Sequence, residues 1–302
     1  MLSIIVPTYN EEESVGILIQ QLYDKLVTFI DSKNYELIFV DDGSTDNTFE
    51  ELKKFPDIKI IRFQRNYGKS AALAAGFEYA KGDIIIQMDA DLQDDANDIP
   101  NFLEAIKTYD MVNGWRYNRQ DRITKKLVSK IYNWLTSKMV GLDLHDYNCG
   151  FKCYRKEVVE SLDIYGEQHR YLPALAHFNG FKVGEIQVEH HKREYGVSKY
   201  KSARILRGLM DLISIKYLEL YSKRPLHFFG AVGLVFLSLG GISGLYLLLI
   251  KILQNATIGN RPLLLFTIVL LIFGIQFISL GLLGEMITKN SPKKKYIIKE
   301  AR

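Results

Sequence analysis

The chain has 302 residues, 47% hydrophobic and 25% charged, with 39 Lys and Arg against 35 Asp and Glu for a net charge of +4. That length suffices for one large domain plus a smaller module, and so mild a charge, without a nucleic-acid motif, leaves no case for a nucleic-acid partner. The two cysteines, Cys149 and Cys153, fit neither a zinc site nor a disulfide framework and read as packing residues.

In chain order, Met1–Glu12 has no basic n-region and turns polar after a few apolar positions, which predicts no signal peptide. Leu2–Val6, Tyr35–Val40, Ile58–Phe63, Ile84–Met88 and Met111–Asn113 read as strands alternating with helices. Nearly continuous apolar strands in such an alternation predict a mostly parallel sheet covered on both faces, an α/β fold. Val15, Leu18, Ile19, Leu22, Leu26 and Phe29 recur at helical spacing, with Asn10 and Glu13 placed to cap that helix. Gly68–Lys81 reads as an alanine-rich second helix.

After Trp115 the chain turns basic, with Arg116, Arg119, Arg122, Lys125, Lys126 and Lys130, then amphipathic to about Val140. Phe151–Tyr154 and Val183–Val188 read as strands and Tyr171–Phe178 as a helix. Residues 198–224 alternate basic and apolar positions, which suits an interfacial helix or a solvated surface helix. Leu226–Ile250 and Pro262–Gly284 carry no charged residue, and each exceeds the roughly 20 residues a bilayer-crossing helix needs; a buried hairpin is the alternative. Lys223 and Arg224 precede the first stretch, and Lys289, Lys293, Lys294 and Lys295 follow the second. The basic residues therefore predict two spans with both termini cytoplasmic and Gln254–Asn260 outside. The Asn255-Ala256-Thr257 sequon in that loop is read as chance.

Three polar clusters follow predicted strands: Pro7–Glu11, Asp41–Ser44 and Asp89–Asp91. Ligands bind beyond the carboxyl ends of an open parallel sheet, so all three are expected at one crevice. Asp89 and Asp91 flank a small residue and, with the Gln93 carbonyl, form a hard-oxygen set suited to Mg²⁺ or Mn²⁺ beside phosphates. Asp94, Asp95 and Asp98 are expected to cap the next helix. No glycine-rich phosphate loop is present, so basic side chains and the metal must carry phosphate.

The segments PTYNEE (7–12), VDDGSTDNT (40–48), RNYGKSAALAAG (65–76) and MDADLQDD (88–95) resemble family 2 glycosyltransferases of the GT-A fold. The likeness is strongest to the dolichol-phosphate mannosyltransferase and bactoprenol-phosphate glucosyltransferase branch. It continues through NGWRYNRQDR (113–122), DYNCGFK (146–152), HRYLP (169–173) and REYGVSKY (193–200). The resemblance implies a GT-A, Rossmann-like catalytic domain at 1–197, an amphipathic region at 198–224, a two-helix transmembrane module at 225–288 and a basic cytoplasmic tail at 289–302.

It also implies roles. Pro7, Tyr9, Glu11 and Asp41 match positions cradling the nucleotide. Asp89 and Ala90 match positions facing the diphosphate-sugar; Asp91 and Gln93, with Asp89, match the metal site. Arg193 and Lys199 match groups that neutralise the diphosphate. Arg116, Lys125 and Ser129 match the acceptor-phosphate region. Lys69 and the other basic residues of 116–130 have a solvated reading beside a functional one. The implied reaction is transfer of one sugar from a nucleotide-sugar to a polyprenyl phosphate at the plasma membrane, with inversion. A phosphate monoester of second pKa about 6 is already largely a dianion near neutral pH, so it needs no general base. Packing between spans of several copies, a homo-oligomer, is also expected.

A processive polysaccharide synthase would need a Q-x-x-R-W stretch and a base; the chain offers Gln168-His169-Arg170-Tyr171, two spans, and Glu167 as base or capping residue. A membrane-tethered scaffold with a degenerate fold would not need the intact Asp89, Asp91, Gln93 and Arg193 set.

Overall fold

A computed structural model describes residues 1–117, 133–191, 225–254 and 257–290. At its centre lies β1 (Leu2–Thr8), where Ile4, Ile5 and Val6 are wholly buried. β1 pairs in parallel with β2 (Tyr35–Asp41) on one side and β4 (Ile84–Gln87) on the other. β3 (Lys59–Arg62) extends the sheet in parallel beyond β2. On the far side β6 (Lys152–Arg155) runs antiparallel to both β4 and β5 (Met111–Arg116), and β7 (Val183–Val188) is parallel to β5. The seven strands thus lie in the order β3-β2-β1-β4-β6-β5-β7.

Successive strand residues point to opposite faces, so each strand feeds two cores. Ile4, Val6, Leu37 and Phe39 meet Leu18, Ile19 and Leu22 of α1 (Val15–Leu26) and Phe102 of α4 (Ile99–Ala105). Ile5, Ile38, Val40 and Ile85 meet Ala72 and Leu73 of α3 (Lys69–Tyr79), Val158 of α6 (Lys156–Ser161) and Leu172 of α7 (Leu172–Phe178). Between β2 and β3 lies the short α2 (Thr48–Leu52), and residues 133–140 form α5. A largely parallel sheet covered on both faces is what the apolar runs predict.

Four residues expected to cap helices do otherwise. Asn10 does not cap α1, whose N-cap is Ser14; with φ 53° it turns away, and its Oδ1 accepts the Thr45 N–H at 2.9 Å. Asp95 caps only a short 3₁₀ turn, accepting the Asn97 N–H at 2.8 Å. Asp98 instead accepts the Glu189 N–H at 2.8 Å, tying α4 to the segment after β7, and Asp94 turns toward Asp89.

The chain divides into two compact units, Met1–Leu212 and Ile213–Arg302. In the second, helices α8 (Pro225–Gln254, 30 residues) and α9 (Pro262–Asn290, 29 residues) pack side by side. Both are long and apolar enough to cross a membrane. Glycines let them approach closely: a Cβ at Gly274 would lie 2.5 Å from Leu237 Cγ and 3.0 Å from the Gly233 carbonyl oxygen. The Thr267 hydroxyl donates to Ser243 Oγ at 2.9 Å, and the Phe236 and Phe277 rings stack at 5.6 Å. Leu234, Leu239, Ile242, Phe266 and Ile275 remain exposed on the outer sides, unlike the core hairpin of a soluble protein.

Candidate active site

The sheet brings distant segments to one edge. Thr8 at the end of β1 lies opposite Asp41, and Asp41 opposite Arg62. Because β6 runs backwards, its first residue, Lys152, sits beside Gln87 and Asn113. The loop before β6 therefore arrives where the loop after β4 departs. β7 ends with Val188 opposite Arg116, so Glu189–His191 join the same edge.

Asp41 is wholly buried. Its Oδ1 accepts the Ser44 N–H at 2.9 Å; its Oδ2 accepts no hydrogen bond and lies 3.3 Å from Arg62 Nε. Arg62 in turn stacks its guanidinium 4.1 Å above the Phe49 ring. The turn after Asp41 requires glycine: Gly43 has φ 68°, and a Cβ there would strike the backbone of Arg65. Asp42 accepts the N–H groups of Tyr67 (2.7 Å) and Gly68 (2.9 Å), locking this turn to the start of α3. A cavity of about 420 Å³ opens beside it, lined by Gly43, Ser44, Thr45, Arg62, Phe63 and Gln64. Pro7, Tyr9 and Glu11 lie half-buried at the end of β1, where the Glu11 N–H donates to Thr48 Oγ1 at 2.8 Å.

Asp89 follows β4 and is paired with Lys69 from the first turn of α3. Gly150 is packed so closely that a Cβ there would fall into the Asp89 carboxylate. Burial opposes the charge on Asp89, but the Lys69 ammonium beside it holds the carboxyl below its ordinary pKa. Asp91 Oδ1 accepts the Gln93 N–H at 3.3 Å across Leu92, whose φ of 60° is a left-handed conformation that leucine rarely adopts. Gln93 and His191 bond reciprocally: the Gln93 side-chain amide donates to the His191 carbonyl at 3.2 Å, and the His191 N–H to the Gln93 carbonyl at 2.9 Å. Asp94 accepts the Asp89 N–H at 3.2 Å, and burial with the Asp89 and Asp91 charges pushes its pKa up to about 7. Ala90 is buried between the two carboxylates of the D-x-D segment.

Arg116, expected near a lipid phosphate, is nearly buried at 11% side-chain exposure and engaged by a carboxylate. Its Nε donates to Asp146 Oδ2 at 2.7 Å and its Nη2 to Asp146 Oδ1 at 3.0 Å. Asn113 links this pair to Lys152: its amide nitrogen donates to the Asp146 carbonyl at 2.7 Å, and its oxygen accepts Lys152 Nζ at 2.6 Å. Lys152 also donates to the carbonyls of Cys149 and Tyr147 and, among the described residues, to no carboxylate. Burial lowers its pKa to about 8. Glu167 pairs with Arg170 at 2.6 Å. Arg193, Lys199, Lys125 and Ser129, with the basic residues 119–130 and the 198–224 segment, lie outside the described residues.

The sequence reading missed Asn113, Asp146, Gly150 and Lys152 as site residues. Asp146, Gly150 and Lys152 lie in the DYNCGFK stretch and Asn113 in NGWRYNRQDR, both of which carry the family resemblance without marking these residues for the site. Lys69, for which the sequence allows a solvated or a functional place, pairs with Asp89.

The model of the glycosyl transferase family 2 matches residues 3–163. The chain belongs to that family. The glycosyltransferase is 38% identical to the dodecaprenyl-phosphate galacturonate synthase of Rhizobium johnstonii, over 99% of this chain and 92% of that protein. It is 37% identical to the undecaprenyl-phosphate 4-deoxy-4-formamido-L-arabinose transferase of Shewanella sediminis, over 94% of this chain and 86% of that one. Among solved structures, the glucosyl-3-phosphoglycerate synthase of Mycobacterium tuberculosis in complex with Mn²⁺, uridine-diphosphate and glucosyl-3-phosphoglycerate matches with a TM-score of 0.57 and 17% identity, covering 72% of this chain and 79% of that one. That likeness gives the glycosyltransferase its fold, GT-A, as the motifs imply.

Proposed function

We propose that this glycosyltransferase moves a single sugar from a nucleotide-sugar to a polyprenyl monophosphate, giving a lipid-phosphate-sugar with inverted anomeric configuration. One observation carries the reading: Asp41 with its unbonded oxygen, Asp89, Asp91 and the Arg116–Asp146 pair converge on one edge of a GT-A sheet. The nucleotide would lie along Pro7, Tyr9, Glu11 and Asp41, beside the cavity at Gly43–Thr45. The acceptor class follows from the relatives, both named for polyprenyl phosphates.

A divalent cation, Mg²⁺ or Mn²⁺, fits the residues present. Asp89, Asp91 and Asp94 crowd three carboxyls together, and Asp94 relieves the repulsion only by holding a proton up to about pH 7. The Gln93 amide nitrogen is spent on His191, which turns the carbonyl oxygen into the end a cation would take. Such a cation, when bound, would neutralise the diphosphate leaving group. Asp91 and Gln93, with Asp89, are the residues we assign to hold it.

The remaining work is positioning and charge management. An acceptor phosphate dianion needs no proton removed, which suits a crevice where Glu167 is turned onto Arg170. Arg116, fixed by Asp146, would present its remaining N–H groups as an oriented donor to the acceptor phosphate. Lys125 and Ser129 would complete that half, and Arg193 and Lys199 the leaving-group half. The spans would sit in the plasma membrane with both termini and the catalytic domain cytoplasmic, where the lipid phosphate reaches the interface.

The test is a product assay with purified protein, Mn²⁺, undecaprenyl phosphate and a panel of UDP- and GDP-linked sugars. One sugar on an organic-extractable lipid is expected, with Asp91→Ala at full expression abolishing it. A long water-soluble polymer, or undiminished transfer by Asp91→Ala, would sink the reading.

A further inference from the structure

His169 stands in a 3₁₀ turn, Gln168–Arg170, just before α7. Its backbone N–H donates to Ser70 Oγ at 3.0 Å, and its Nδ1 lies 3.0 Å from that same oxygen. Ser70 is buried at 1% exposure, next to Lys69 in the first turn of α3. A serine hydroxyl has one proton and two lone pairs. One lone pair is taken by the His169 N–H. If Nδ1 also carried a proton, the Ser70 hydroxyl hydrogen would be left without an acceptor in a buried place, which is costly. The arrangement that satisfies every group has the hydroxyl donating to Nδ1. The ring proton then sits on Nε2, and the ring is held at both its backbone and its Nδ1 corner.

The ring neighbours the crevice, because the Ser70 that holds it follows Lys69 in α3, and Lys69 pairs with Asp89. Lys69, Arg170, Asp89 and Lys152 are the charges that act on the imidazole, three of them residues of the site. With the Ser70 hydroxyl donating to Nδ1, the ring carries a single proton, on Nε2, and is uncharged. A neutral Nε2–H on a ring anchored by Ser70 is an oriented donor, and the Asp89 carboxylate, whose charge acts on the ring, is an acceptor in the same site. A sugar hydroxyl both donates and accepts, and no phosphate oxygen can use both partners.

We propose that His169, set by Ser70, recognises the sugar of the donor substrate by donating its Nε2–H to one hydroxyl oxygen of the transferred ring. This rests on the proposed transfer reaction and names a specificity residue within it. A site that bonds a substrate hydroxyl rejects the analogue lacking it, because its own polar group is then left unpaired.

The experiment takes the nucleotide-sugar the full-length wild type uses best from the UDP- and GDP-linked panel, together with its monodeoxy analogues. It compares wild type, His169→Leu, His169→Gln and Ser70→Ala with undecaprenyl phosphate and Mn²⁺. Loss of one neutral hydrogen bond predicts a fall of about tenfold in kcat/KM for His169→Leu. His169→Gln, whose amide nitrogen reaches a similar point, should recover most of it, and Ser70→Ala should fall between. One deoxy analogue should lower the wild type to the His169→Leu rate while costing His169→Leu nothing more. Affinity for the sugar-free nucleoside diphosphate, measured by titration calorimetry, should stay within about twofold, the separation expected when only a sugar contact is lost. Equal losses on every analogue together with weakened nucleotide binding would mean a structural role and overturn the inference, as would a His169→Leu enzyme matching the wild type. Absence of transfer by the wild type from every donor would overturn the proposed function, and the inference with it.

Discussion

The D-x-D segment is legible in the sequence; what surrounds it is not. Asp89 and Asp91 declare themselves by spacing after a buried strand, whereas the partners of Asp89 come from Lys69 and Gly150, 20 and 61 positions away. Gly150 illustrates the difference. Nothing in DYNCGFK marks this glycine as a carboxylate's backstop, yet a Cβ there would collide with Asp89. Gly150→Ala should lower kcat/KM by about a hundredfold, the scale of a misplacement of about 1 Å at a reacting centre. Circular dichroism and thermal melts should show the fold kept. Asp94 gives a second test. Its carboxyl, ordinarily near 3.8, titrates at about 7 in the folded protein without metal. The folded state therefore holds the proton longer than the unfolded chain, so this group favours folding at low pH. That contribution is lost as pH rises from about 4 to about 7. Melting midpoints of wild type relative to Asp94→Asn should fall across that window, and Mn²⁺ should flatten the fall at its upper end.

Elements were read more surely than their directions. Each strand core was predicted from its apolar run, but such a run carries no sign of which way the strand points. The antiparallel course of β6 was invisible for that reason, and with it the placing of Asp146 and Lys152. β5 was also predicted to stop at Asn113, because Gly114, Trp115 and Arg116 break the apolar pattern; pairing with β7 carries it on to Arg116. The extension puts Arg116 on rigid sheet instead of a loop. Helices α8 and α9 were legible from composition, their contact face less so, since glycine marks close approach only when its partner is known. Gly274→Leu should force the helices apart, costing about 1–3 kcal/mol, and lower the thermal midpoint of the detergent-solubilised protein. Gly259→Ala, where a Cβ has open space, is the matched control.

The chain joins an α/β domain to a pair of helices apolar enough to cross a membrane, and the basic residues flanking those helices are the ground for the proposed orientation. Cys149 and Cys153 are both buried, so the folded protein offers a silent background for thiol labelling. Gly259→Cys, in the turn between the helices, should react with a membrane-impermeant maleimide added to intact spheroplasts. Labelling only after lysis would reverse the proposed orientation. At this scale the reversed strand has one more consequence. Every residue proposed to handle the nucleotide and cation except Arg193 and Lys199 is encoded before Ala105, and the wall containing Asn113, Asp146, Lys152 and His169 is encoded after Met111. The two halves meet at β4 and β6 through main-chain pairing, which any side chains can make. A single recombination in the gene between those codons would exchange one wall and keep the other. The exchanged wall would have to bring a partner for Ser70 and for Gln93, because His169 and His191 both lie on its side of the junction.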